Sequence, residues 1–207
     1  MHTTIKDYIS EDFLKADEIK TAPISDAVIE PIKRRWSIRA FSDEIITNDA
    51  LELLFEAASW SPSSMNEQPW RYIAAKKGSP EFDALAETLA PSNRSWAEKA
   101  PVLVLSVAET KFASTGRENG YALYDTGAAN YGLLLQARSM NIYGHIMGGF
   151  NREEAARKLG LNKNQSAIVI IALGYPGSPE ELPENLKLRE LAPRTRKSVD
   201  DILTIAG

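Results

Sequence analysis

The segments Arg35-Trp36-Ser37-Ile38-Arg39-Ala40-Phe41 and Ser61-Pro62-Ser63-Ser64-Met65-Asn66-Glu67-Gln68-Pro69-Trp70 decide how this chain is read. Arg35 and Arg39 carry planar guanidinium forks that match the geometry of phosphate oxygens. Ser37, Ser63, Ser64, Asn66 and Gln68 add neutral donors and acceptors. Taken locally, the second segment is also ordinary turn chemistry, because Ser, Pro and Asn dominate turns. One amphipathic helix lies between the two. Thr47 is its candidate N-cap, Asp49 and Glu52 favour its start, and Leu51, Leu54, Phe55 and Ala58 share one face. Pro62 disfavours helical geometry at Ser61, so this helix ends near Ser59.

Working outward, Trp70 to Ala75 alternates like a strand. Residues 80–90 read as a helix, with a second turn or helix around Ser92–Lys99. Val102 to Val107 and Ala167 to Leu173 are unbroken apolar runs, the mark of strands buried on both faces. Asn119 to Met140 is the longest helical stretch. Tyr121, Tyr124, Ala128, Tyr131 and Leu135 form one stripe on it, with Leu133 and Leu134 apolar elsewhere, which suits a central helix or a subunit interface. Ile142–Ile146 reads as a strand leading into Met147-Gly148-Gly149-Phe150. Asn151 and Glu154 form a cap pair before Ala155–Leu159, and Gly160 closes that helix. Strand–helix–strand repeats are few, so the pattern predicts a mixed sheet with helices around it rather than a doubly wound parallel fold.

The chain has 207 residues and reads as a single domain, 1–207. Residues 1–30 form a peripheral N-terminal segment of short helices, with Pro23 and Pro31 as breakers. Residues 176–207 read as an extended C-terminal tail, punctuated by Pro179, Pro183 and Pro193. The formal charge of −4 gives no basic excess for nucleic acid or a membrane surface. A phosphate site must then be a local cluster of cations. The absence of cysteine removes disulfides, thiolate catalysis and iron–sulfur clusters, and with only His2 and His145 no metal site is expected. No long apolar span or leader is seen, so a cytoplasmic location is the default. Redox chemistry, if any, falls to an organic cofactor.

Arg-x-Ser-Ile-Arg-x-Phe, then a helix, then Ser-Pro-Ser-Ser-x-Asn-x-Gln-Pro-Trp, resembles the N-terminal signature of the FMN-dependent nitroreductase family. The resemblance implies an α+β fold: a mixed central β-sheet surrounded by helices. It also implies an intertwined homodimer in which the C-terminal tail crosses to the partner. The implied activity is NAD(P)H-dependent reduction of nitroaromatics, quinones or related conjugated acceptors on bound FMN, by a ping-pong route. Relatives with other flavin reactions (dehalogenation, enal or aldehyde reduction, azoline dehydrogenation) and a non-catalytic FMN-binding protein are the alternatives.

The resemblance assigns the cofactor-binding positions. Arg35, Trp36, Ser37 and Arg39 match its first motif, although the family often has Arg where Trp36 stands, which leaves the side chain there without a role. Pro62, Ser63, Ser64 and Asn66 match a loop that reaches flavin held mainly by the other subunit. Met147, Gly148 and Gly149 match a segment lying against the flavin, with a Gly149 N–H toward flavin N5; locally this is also a plain strand-to-helix turn. Arg194 and Arg196 match the C-terminal cations on the phosphate. No protein side chain is assigned as catalytic. Arg39 would stabilise negative charge on reduced flavin, and the competing reading is a structural salt bridge to one of the acidic residues, such as Asp43 or Glu44. His145, inside a strand, reads as a packed imidazole, and Trp96, Phe112 and Tyr124 are aromatic candidates for a pocket wall.

Overall fold

The computed structural model describes residues 9–207, so His2 lies outside the described residues. In chain order the elements are α1 (Glu11–Ile19), α2 (Glu30–Arg34), α3 (Asn48–Ser59), β1 (Trp70–Lys76), α4 (Pro80–Thr88), α5 (Pro91–Ala97), β2 (Val102–Glu109), α6 (Ala122–Ser139), β3 (Tyr143–Met147), α7 (Arg152–Lys158), β4 (Gln165–Gly174) and α8 (Glu184–Leu191).

The strands form one four-stranded sheet in the order β1-β2-β4-β3. Every pairing in it is antiparallel, so the expectation of a mixed sheet is corrected. The reason lies in the placement of β4. The α6 crossover joins β2 and β3, which run the same way, but β4 inserts between them and pairs antiparallel with both.

Both faces of the sheet are covered, which explains why β2 and β4 read as unbroken apolar runs. Val102 and Val104 of β2, with Ile171 and Leu173 of β4, pack under Leu54 and Ala58 of α3 and Ala129 and Leu133 of α6. Leu103 and Leu105, with Ile170 and Ala172, face Phe13 of α1 together with Phe82, Leu85 and Trp96 of α4 and α5. Inside the first layer, the buried Ser106 hydroxyl donates to Asn130 Oδ1 at 2.9 Å, pinning α6 to β2. The caps read from sequence form: Thr47 accepts from Ala50 N–H, Asn151 accepts from Glu154 N–H, and Gly160 takes a positive φ.

Two expectations at the chain ends are corrected. The described part of 1–30 is not peripheral, because Phe13 and Ala16 belong to the core. The Asp17 carboxylate, itself buried, accepts from Arg34, Trp36 and Tyr143 at 2.8–2.9 Å and ties α1 to β3. Pro31 is no breaker either. It sits in the first turn of α2, where a missing N–H costs nothing. Likewise, residues 176–207 are not extended throughout, since α8 forms directly after Pro183, the residue at its N-cap. Among the described residues no helix is long and apolar enough to cross a membrane.

Candidate functional site

Residues 35–42 run as an extended segment stitched along the sheet's end. Gly177 N–H donates to the Ala40 carbonyl at 2.9 Å and Ser42 N–H to the Tyr175 carbonyl at 3.0 Å. Extended backbone sends successive side chains to opposite faces. Trp36, Ile38 and Ala40 accordingly enter the core, and Arg35, Ser37 and Arg39 share the other, partly exposed side. The Trp36 side chain, for which the resemblance gave no role, turns away from that side. The indole is 3% exposed, stacks on Phe13 and donates to Asp17.

The C-terminal segment lies across that face. Arg194 donates through both terminal nitrogens to the carbonyls of Lys33 and Arg35. Arg35, Arg194, Arg196 and Lys197, with Tyr131 of α6, line a cleft of about 410 Å³. Among the described residues no carboxylate forms a salt bridge with any of these four cations. Burial pushes the Arg35 pKa down, and the nearby Arg196 charge adds to this, while the Tyr131 hydroxyl works against it. Arg194 is pushed down by burial and then by Arg35 and Arg196. Its Nε is buried without a partner among the described residues. The more distant Asp17 charge opposes the shift at Arg194, and an anion placed among these cations would relieve their repulsion and complete their hydrogen bonds. The residues predicted for a phosphate from the two ends of the chain are thus brought together, and Tyr131 joins them.

Arg39 forms a salt bridge to an acidic residue, as the competing reading expects, although to neither of the two examples named. Its Nη1 donates to Oε1 of Glu190 on α8 at 3.0 Å, not to Asp43 or Glu44. The guanidinium lies 5.8 Å from the centre of the Trp96 ring. Trp96 in turn meets the His145 imidazole at 4.4 Å between ring centres. His145 Nδ1 is 2.8 Å from the Ile38 carbonyl. Its pKa falls to about 4, chiefly through burial and then through Arg39, against the opposing pull of the Ile38 contact. The ring is therefore neutral at neutral pH. Because a carbonyl only accepts, Nδ1 carries the hydrogen and Nε2 is left as an acceptor.

Beyond β3, the Gly149 carbonyl accepts from Ala90 N–H at 3.0 Å and from Asn93 Nδ2 at 3.1 Å. A Cβ at Gly149 would lie 2.8 Å from that Asn93 nitrogen, a contact that a turn of the Asn93 side chain would relieve. Gly148 and Gly149 are both exposed. The loop containing Pro62, Ser63, Ser64 and Asn66 sits elsewhere, on α6. Ser64 N–H donates to Asp125 Oδ2 at 3.0 Å, and Gln68 N–H donates to Ser63 Oγ at 3.0 Å. Met65, Asn66 and Gln68 all adopt positive φ, strain that non-glycine residues rarely carry. Glu67 accepts from Ala113 N–H, which fastens the 111–118 hairpin to this loop. Among the described residues no hydrogen bond or salt bridge joins the loop to Arg35, Ser37 or Arg39 within one chain.

Of the predicted aromatics, Trp96 is buried beside Arg39, and Tyr124 stands exposed on α6. Sequence reading missed Glu190 and Lys20, whose partners are far away along the chain. It placed Tyr131 on a stripe without linking it to the cations. An exposed tyrosine on the same stripe as Tyr124 was the only available signal.

A helix-clad antiparallel sheet, with Arg35, Arg194, Arg196 and Lys197 gathered on one cleft, defines an α+β protein. The chain belongs to the nitroreductase family, whose sequence model matches residues 32–92 and 74–175. It is 27% identical over 165 residues to an Archaeoglobus fulgidus protein with the provisional name NADH dehydrogenase/NAD(P)H nitroreductase, covering 75% of this chain and 89% of that one. It is also 27% identical, over 187 residues, to a Thermus thermophilus NADH dehydrogenase, again covering 75% and 89%. Among solved structures, an oxidoreductase containing FMN superposes with a TM-score of 0.81 at 29% identity, over 87% of this chain and 93% of that one.

Proposed function

We propose that this protein is a homodimeric, FMN-dependent oxidoreductase that uses NAD(P)H to reduce nitroaromatic, quinone or related conjugated acceptors in a ping-pong cycle. The observation that carries this reading is the crowding of Arg35, Arg194, Arg196 and Lys197 around one cleft, with no salt bridge to a carboxylate among the described residues. These residues fit a phosphate monoester. Ser37 and Arg39, on the same side of the extended segment as Arg35, are placed to meet the rest of the cofactor. The exposed backbone of Gly148 and Gly149 lets a flat ring approach closely. FMN, when bound, supplies reversible two-electron chemistry between NAD(P)H and the acceptor.

The side chains hold and orient. His145 is neutral, and its hydrogen is engaged with Ile38, so it has no spare proton to give, and water supplies the protons. The Pro62–Asn66 loop contributes from the second copy of the chain, which agrees with its separation from Arg35 within one chain. Tyr121, Leu123, Tyr124 and Tyr131 leave an apolar strip of α6 exposed, and Val199, Ile202, Leu203 and Ile205 do the same in the tail. This strip is the subunit contact, and residues 199–207 are the part of the tail that crosses.

The test is anaerobic mixing of the purified, FMN-loaded protein with NADH or NADPH. Bleaching of the flavin absorbance, followed by its return on adding a quinone or nitroaromatic, is the expected result. A flavin that stays oxidised with both nucleotides sinks the reductase reading and leaves a binding protein. A preparation that takes up no FMN sinks the cofactor itself.

A further inference from the structure

We propose that Glu190 is a positioning residue for Arg39: it fixes the guanidinium on the face shared with Arg35 and Ser37 and offsets its charge, and so lowers the reduction potential of flavin bound there. The inference rests on the flavin reading above.

Among the described residues two buried carboxylates take arginine, and they differ. Asp17 is saturated. Trp36 and Tyr143 donate to Oδ1, and Arg34 donates to Oδ2, with Arg138 3.5 Å away. Its role is complete in the fold. Glu190 is 0% exposed; Oε1 accepts from the Arg39 guanidinium, the Arg39 backbone also acts on the carboxylate, and Oε2 has no hydrogen-bond partner among the described residues. Burial pushes its pKa up, and the Arg39 contacts oppose that and favour the charged form. Lys20 is close enough to act on Glu190 electrostatically, but its Nζ donates to the Arg189 carbonyl at 2.7 Å instead. A buried carboxylate with an unmatched oxygen is costly, and helix anchoring alone does not call for one. What the arrangement does accomplish is electrostatic. A guanidinium facing the site would favour the anionic reduced flavin. A carboxylate 3.0 Å from it, in a low-dielectric setting, cancels much of that field.

The experiment is a redox titration of the FMN-loaded protein against a dye of known potential, for wild type, Glu190→Gln, Glu190→Asp and Arg39→Gln. Glu190→Gln keeps an oxygen acceptor for Arg39 and deletes the charge. Its reduced-to-oxidised ratio at a fixed poise should rise about tenfold, a shift of about +30 mV for a two-electron couple. Glu190→Asp should stay near wild type, and Arg39→Gln should move the opposite way. Glu190→Gln with full flavin and an unmoved potential overturns the proposal. Should that variant fail to fold or to keep flavin, an unmoved potential in Arg39→Gln overturns it equally. Failure of wild type to bind FMN is a separate result and strikes the function, not the role of Glu190.

Discussion

At the scale of single residues, charge placed without a partner is the most informative property of this protein. Arg35 and Arg196 line one cleft, proposed above to take the FMN phosphate. Replacing either by alanine should weaken FMN binding by about 1.5–3 kcal/mol per charge-assisted bond lost, roughly 10- to 100-fold in Kd. Fluorescence titration with FMN measures this, and wild-type affinity in both variants would remove the phosphate site. His145 gives a second prediction. Its folded pKa of about 4 lies below the ordinary 6.5, so between those values the unfolded chain binds a proton that the folded chain does not. The imidazole's contribution to stability is thus complete above pH 6.5 and is lost as pH falls toward 4. At about 1.4 kcal/mol per pH unit of separation, the loss is on the order of 3 kcal/mol. Urea midpoints of wild type and His145→Gln across pH 4–7 should diverge in slope, and parallel profiles would refute this. The cations were legible in the sequence because their motifs are local. Glu190 was not, because a carboxylate on one helix says nothing about an arginine that only folding brings to it.

Among elements, β3 and α6 meet at Gly144. A Cβ there would overlap Leu134 Cδ2 of α6 and come within 3.0 Å of Leu173 Cδ2 of β4. Gly144→Ala should therefore destabilise the fold by about 1–3 kcal/mol through overpacking, with no charge changed. Chemical denaturation reads this directly, and an unchanged midpoint would show that α6 can shift away. Elements with a strong local signature were the ones readable in advance. Thr47 with the Leu51–Leu54–Ala58 spacing announced α3, and two apolar runs announced β2 and β4. The helix α8 was hidden by Pro179, Pro183 and Pro193, which suggest an extended chain. Proline just before a helix is compatible with its start, and Pro183 occupies that place. The antiparallel sheet was hidden for another reason: helical crossovers suggest parallel neighbours, and nothing local reveals that β4 slips between β2 and β3.

For the whole molecule, the exposed strip of α6 is the surface proposed above as the subunit contact. Tyr124, at 79% exposure, stands at its centre. Tyr124→Glu should shift the protein from dimer to monomer in sedimentation velocity, and its FMN content should fall in parallel. A variant that stays dimeric and retains its flavin would place the interface elsewhere. The order β1-β2-β4-β3 has a further consequence, for synthesis. The strand that closes the sheet, Gln165–Gly174, is the last one to leave the ribosome. Until it does, β2 and β3 each present an open edge to the cell, and such edges recruit other chains. A message broken before codon 165 would therefore yield a sticky fragment rather than a smaller working protein, and the nascent chain is most exposed to aggregation just before its sheet can close.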